Sequence, residues 1–291
     1  MLKFEFFFLF LIQAIFSQSV SYDYLKNGAD WANLCANGTE QSPIDINTDN
    51  VIKCDPNMMI QIQWSNQNLT SSTQNLGVTY ESSANWSIVY ASDYDGDVYG
   101  YDAYEFDFHA PSEHTVNGQY FDLEMQVFHS LKSEFQAENP VRNIAIVSLL
   151  FTVDDSQGDN LFFTQYDPTS TNQFTLNMSL LLGNQTQLPL QYYLYPGSFT
   201  TPPCLEVVNW YVLAIPLTLS SNQQNKFTSA WAQNSSFAGG NGNNRVIMPL
   251  NSRSVKVGGL ALDACQEDFV SFFGFFVLFL FLIYVIFQVV P

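Results

Sequence analysis

The chain has 291 residues, with 9 Lys plus Arg against 27 Asp plus Glu and a formal net charge of −18. That acidic excess excludes nucleic acid, and an anionic membrane surface, as a partner held through phosphate contacts. Hydrophobic residues make up 47% of the chain and aromatic residues 16%, ample material for a core. The body of about 250 residues between two hydrophobic ends suits one large domain.

Met1–Ser17 (MLKFEFFFLFLIQAIFS) sets Lys3 against Glu5, then runs apolar to a small residue, the pattern of a secretory signal cleaved near Ser17. Its apolar run is too short for a comfortable membrane span. The mature body is then expected from Gln18 to Leu260. Within it Asn37, Asn68, Asn85, Asn177, Asn184 and Asn234 head Asn-x-Ser/Thr sites, which are glycosylation acceptors in a secreted chain and mark its surface.

Residues 61–101 are rich in Tyr, Trp, Ser and Asn and alternate repeatedly, which reads as strands of a large sheet. Tyr104–Ser130 holds all three histidines, His109, His114 and His129. Two aromatic, alternating runs flank Asn117-Gly118, the strongest short signal for antiparallel strands joined by a tight turn. Alternation puts Glu105, Asp107 and His109 on one face, with Tyr104, Phe106 and Phe108 on the other. On the second run Glu124, Gln126 and Phe128 share a face, and His129 lies opposite. Pairing the runs brings Asp107, His109 and Gln126 together, with Glu105 and Glu124 beside them.

Residues 143–153 (NIAIVSLLFTV) form an apolar run suited to a strand buried on both faces. Residues 220–244 are polar and Asn/Gly-rich, with one short helix expected over 222–233. After a spacer over 261–268, residues 269–291 are uncharged and long enough to span a membrane as a helix. No Lys or Arg follows them, so two readings stand: a GPI-attachment signal that is removed, or a membrane span. Either tethers the domain at the cell surface, outside the cytosol.

FHAPSEHTVNG (residues 108–118), followed by Leu123-Glu124 and His129, resembles the metal-site region of the α-class carbonic anhydrases. GTEQSPIDI (38–46), YPGSFTTPP (195–203) and NNRVIMPLNSR (243–253) resemble further stretches of that family in the same order. The resemblance implies a mainly β fold: a large, twisted, mostly antiparallel sheet of about ten strands with short peripheral helices. It also implies a disulfide between Cys35 and Cys204, worth roughly 2–4 kcal/mol. Cys54 and Cys265 are left either to pair with each other or to stay unpaired, Cys265 then being free or acylated beside the membrane.

The family holds zinc with three histidines. Carried across, the ligand positions are Asp107, His109 and Gln126, of which His109 alone matches. Thr200 and Glu113 match the family's gatekeeper threonine and its glutamate. Phe128, Ile146, Phe199 and Trp210 fall at walls of the CO2 pocket, where the Phe128 ring takes up substrate volume. The position of the proton-shuttle histidine falls at Val78, which relays no proton. His114 and His129 read as hydrogen-bonded core.

Zinc hydration chemistry needs a metal acidic enough to bring its water's pKa to about 7, which three neutral imidazoles preserve. A carboxylate at Asp107 cancels part of the metal's charge, and the amide of Gln126 is a weak ligand. Glu105 and Glu124 stand where the family orients its first and third histidines. Glu105 beside Asp107 predicts a shared proton or a bound cation, whereas Glu124 can accept from the Gln126 amide.

The leading expectation is a catalytically silent carbonic-anhydrase-like binding module, without a cofactor, for an extracellular ligand or protein. The competing one is a carbonic anhydrase, a zinc hydro-lyase for CO2, with an altered, weak zinc site. A third is a structural surface glycoprotein whose cleft does nothing.

Overall fold

The structure, a computed structural model, describes residues 22–52, 58–64, 66–74, 77–81, 87–165, 174–177, 180–181, 190–232 and 238–259. The expected signal, spacer and hydrophobic tail lie outside these residues, as do Cys54, Cys265, Asn85, Asn184 and Asn234. Among the described residues no helix is long and apolar enough to cross a membrane.

In chain order the strands are β1 (Asp45–Ile46), β2 (Ile60–Trp64), β3 (Asn66–Gln74), β4 (Gly77–Glu81), β5 (Ser87–Ser92), β6 (Val98–His109), β7 (Thr115–Val116) and β8 (Gln119–Tyr120). They continue with β9 (Leu123–Leu131), β10 (Ile144–Val153), β11 (Phe174–Asn177), β12 (Tyr192–Gly197), β13 (Val208–Leu213), β14 (Leu217–Leu219) and β15 (Lys256–Gly258). The helices among the described residues are α1 (Leu34–Asn37), α2 (Ser221–Ala232) and 3-10 turns at Ser133–Glu138 and Phe162–Thr164.

Among the described residues twelve strands form one sheet, and its main path runs β11-β3-β4-β6-β9-β10-β13-β12-β15. The sheet is therefore larger than the ten or so strands expected, and it is mixed. β10 pairs antiparallel with β9 but parallel with both β13 and β14. A strand this apolar belongs at the centre, because only there are both its faces covered. Val147, Leu149 and Phe151 join Phe106, Phe108, Met125 and Val127 in one core, which Phe163 and Phe227 of α2 cover. Ile146 and Leu150 point the other way, with Phe128, Tyr195, Trp210 and Val212. Each large apolar side chain so buried contributes roughly 1.5–3 kcal/mol.

Two local expectations are corrected. Asn117-Gly118 does make a tight turn, with both φ positive, but it closes the small β7–β8 hairpin and does not join the two long runs directly. β7 also pairs in parallel with β1, so the long strands β6 and β9 are linked through this separate three-stranded sheet. Tyr104 was expected on the side of Phe106 and Phe108. The β6–β9 register instead shifts between Ala103 and Glu105, and the extra residue of this bulge turns Tyr104 toward Phe128, at 6.3 Å between ring centroids.

A disulfide joins Cys35 of α1 to Cys204, closing a sequence separation of 169 residues. It ties the N-terminal segment to the loop that carries Thr200 and Thr201. Among the described residues no cysteine is free.

Candidate functional site

Strand pairing builds the site. In the β6–β9 register Asp107 lies opposite Gln126 and His109 opposite Glu124, and β10 sets Ser148 across from Gln126 on the other side. Glu124, Gln126, His109, Glu113 and Thr200 are all buried. These polar groups form the floor of the candidate site, the cone of the resemblance, and beside them the Phe128 and Phe199 rings stack at 6.2 Å and 16°. Ile146 and Trp210 are buried beneath it in the same cluster.

Glu124 anchors the floor. One oxygen accepts the backbone N–H groups of Glu113 and His114, each at 2.9 Å. The other accepts from Ser148 Oγ at 2.8 Å, His114 Nδ1 at 2.8 Å and Gln126 Nε2 at 3.1 Å. Burial raises its pKa, but the His114 imidazole and these hydrogen bonds outweigh that, and the carboxyl titrates at about 2. His114 spans from Glu124 to the Tyr195 hydroxyl at 2.6 Å and packs edge-on to Trp210.

The Gln126 amide also donates to Glu113 Oε2 at 2.8 Å. Glu113 Oε1 accepts the backbone N–H of Arg245 at 2.9 Å. Both oxygens are thus engaged, and among the described residues the Thr200 hydroxyl is not a partner of either. With its N–H groups on two carboxylates, the Gln126 amide can only turn Oε1 away from them.

His109 is fixed from the other side. Its Nδ1 lies 2.7 Å from the backbone carbonyl of Asn243, which only accepts, so Nδ1 carries a hydrogen. Asn243 itself is pinned, its side chain accepting from Ala110 N and donating to the Phe108 carbonyl. His109 Nε2 stands 3.4 Å from Asp107 Oδ1, beyond a good hydrogen bond. Burial lowers the His109 pKa, but Glu113 and Asp107 pull it up to about 10. Burial raises that of Asp107, with Glu113 and Glu124 adding to it against the pull of His109. Glu113 and Glu124 are thus two of the carboxylates that act on Asp107. Glu105 sits at the bulge, opposite Phe128 and, on β4, Glu81.

Val78 lies on β4 opposite Thr73, and its side chain is outside what is described. Asn37 is exposed, Asn177 is half-buried at the end of β11, and Asn68 lies on β3. His129 is buried opposite the cone, its Nδ1 on the Val127 carbonyl and its Nε2 3.0 Å from Ser87 Oγ. A cavity of about 370 Å³ lies apart from the three ligand positions, lined by Pro111, Tyr120, Gln224 and Thr228 among others.

Three functional residues escaped the sequence reading. Asn243 and Arg245 hold His109 and Glu113 through backbone groups, and the NNR of the last motif was their only signal. Tyr22 sits by Thr201 within electrostatic reach of Asp107, Glu113 and Glu105, its phenol pushed up first by burial. Nothing in its local pattern marked it.

The fold agrees with known proteins. Residues 26–258 match the family model described as eukaryotic-type carbonic anhydrase. A carbonic anhydrase of Pectobacterium atrosepticum is 29% identical over 249 residues, covering 82% of this chain and 91% of that protein. Dioscorin DB3S of Dioscorea polystachya is 31% identical over 243 residues, covering 79% and 82%. A crystal structure of dioscorin complexed with ascorbate superposes with a TM-score of 0.62 at 26% identity, covering 81% of this chain and 94% of that one. The chain belongs to the α-type carbonic anhydrase family.

The family's zinc can be tested against these residues. Asp107 Oδ1, His109 Nε2 and Gln126 Oε1 are all buried and all lack a hydrogen-bond partner. They are the atoms that would face a metal at the three ligand positions. Two ligands on a tetrahedral ion at about 2.0–2.1 Å lie roughly 3.3–3.4 Å apart, which the Asp107–His109 spacing meets. That is one spacing of the three, and among the described residues no group of three or more His, Cys, Asp or Glu side chains is placed to hold a metal. The donors, one nitrogen and two oxygens, depart from the three-imidazole cage.

Proposed function

We propose that this protein is a secreted, membrane-tethered α-carbonic-anhydrase-like glycoprotein in which the cone serves binding and rapid CO2 hydration is lost. The observation that carries this reading is the Gln126 amide on Glu113, whose other oxygen is taken by Arg245. In the family, by the resemblance drawn above, that glutamate orients the threonine hydroxyl. Here it is occupied by a residue that has replaced a metal ligand. Any ion in the cone would supply a Lewis acid of reduced strength, because the Asp107 carboxylate offsets part of its charge. The stacked Phe128 and Phe199 rings narrow the substrate wall.

A small molecule is bound in a solved protein of this fold, dioscorin complexed with ascorbate. The disulfide supports an oxidising compartment, and the sequence pattern of the two ends supports secretion and tethering.

The test is CO2 hydration by stopped flow. The unmodified protein is expected at the buffer rate with or without added zinc, and Asp107→His with Gln126→His is expected to raise it. Zinc-dependent hydration by the unmodified protein, abolished in Thr200→Ala, would establish the altered hydratase instead. The unpartnered donor atoms favour that second reading.

A further inference from the structure

We infer that the cavity between the β7–β8 hairpin and α2 is a second binding site, separate from the cone, that takes an uncharged sugar unit. The inference goes beyond the reading of the cone and stands without it.

The cavity holds about 370 Å³, within the range of small-molecule sites. Its walls are tied across the fold. The Phe121 N–H donates to Ser112 Oγ and the Phe121 carbonyl accepts the Ser112 N–H, each at 2.9 Å. Asp122 is pinned to β10: its N–H donates to the Phe151 carbonyl at 3.0 Å, and its Oδ2 accepts the Val153 N–H at 2.7 Å. Gln224 and Thr228 come from one face of α2, a turn apart. Ala110 and Gly242, next in sequence to His109 and Asn243, complete the wall. Gly240 leaves room, since a Cβ there would meet nothing within 4 Å. Walls already in place leave little ordering to be done on binding.

The lining decides the ligand. Gln224, Thr228 and Tyr120 each carry a side chain that both donates and accepts, while the Asp122 carboxylate accepts. Hydroxyl groups do both as well, so a polyhydroxy ligand can use all of these side chains at once. The Tyr120 and Phe121 rings add flat apolar surface, and their negative faces suit the polarised C–H groups of a sugar ring. Acids are excluded. None of the lining residues is basic, and Tyr120 feels Asp45 and Glu113, which add to burial in raising its pKa. An organic amine gains little, because Asp122 is exposed and an ion pair there is weak in water.

The experiment is saturation-transfer difference NMR on the full-length protein. The probes are the methyl glycosides of glucose, galactose, mannose and N-acetylglucosamine, with phenethylamine and phenylacetate as charged controls. Saturable binding of at least one glycoside is expected, in about the millimolar range. Asp122→Asn, which keeps the shape, is expected to weaken it about tenfold. Gln224→Trp, which puts a large ring into the cavity, is expected to abolish it, and Asp107→Asn in the cone to leave it unchanged. No saturable glycoside signal, a signal that survives Gln224→Trp, or one lost in Asp107→Asn would each overturn the inference. So would phenethylamine held through Asp122 with no glycoside bound. Neither zinc nor hydration is read, so failure here leaves the reading of the cone untouched.

Discussion

The Gln126 amide donates to Glu113 at 2.8 Å and to Glu124 at 3.1 Å, so one side chain at a former ligand position satisfies two buried carboxylates. Removing it leaves Glu113 Oε2 without a donor. Gln126→Met, which keeps the volume and deletes the amide, is expected to destabilise by about 1–3 kcal/mol. A lowered urea midpoint with unchanged slope is the reading that checks it.

Phe128 stacked on Phe199 is expected to limit hydration even after the ligands are restored. Adding Phe128→Val to the Asp107→His, Gln126→His protein should raise kcat/KM further, and the same change alone should leave hydration at the buffer rate. Its stability cost, measured by thermal unfolding, is expected at about 1–3 kcal/mol for the lost ring packing.

His129 makes stability depend on pH. Burial depresses its pKa from 6.5 to about 4, against the opposing hydrogen bond to Val127. Below pH 6.5 the unfolded chain takes up a proton that the folded one refuses, so stability is full above 6.5 and is lost as pH falls through 4. The loss amounts to at most about 3 kcal/mol. Urea unfolding at stepped pH should show this slope, and His129→Gln should flatten it over that interval.

The Cys35–Cys204 bridge closes a long loop next to the cone. Replacing both cysteines by serine is expected to cost about 2–5 kcal/mol, read as a fall in the unfolding midpoint. Because the bridge adjoins Thr200 and Thr201, the same variant should raise amide exchange across residues 198–206 more than in β10.

Short-range pattern carried much of this fold. Alternation alone places Asp107 on the face it shares with Gln126, and the apolar run at 144–153 is the sheet's centre. What stayed hidden depends on partners distant in sequence. No Gly or Pro marks the bulge that turns Tyr104 over; it arises from how β6 must fit β9. Asn117-Gly118 specifies a turn, but not which strands it joins. The parallel seam of β10 with β13 has no local signature, and the NNR motif marks Asn243 and Arg245 without saying what their backbone groups hold. Side chains advertise their chemistry, whereas a carbonyl or N–H at the right place is available from any residue.

That seam also orders events during synthesis. β9 and β10 can pair as soon as they emerge, but β10 stays open on its other side until β13 has been made. Contacts of such separation form late and slowly. The partners of His109 and Glu113 come later still, at Asn243 and Arg245. A nascent chain halted before Asn243 therefore carries His109 and Glu113 without the backbone groups that hold them.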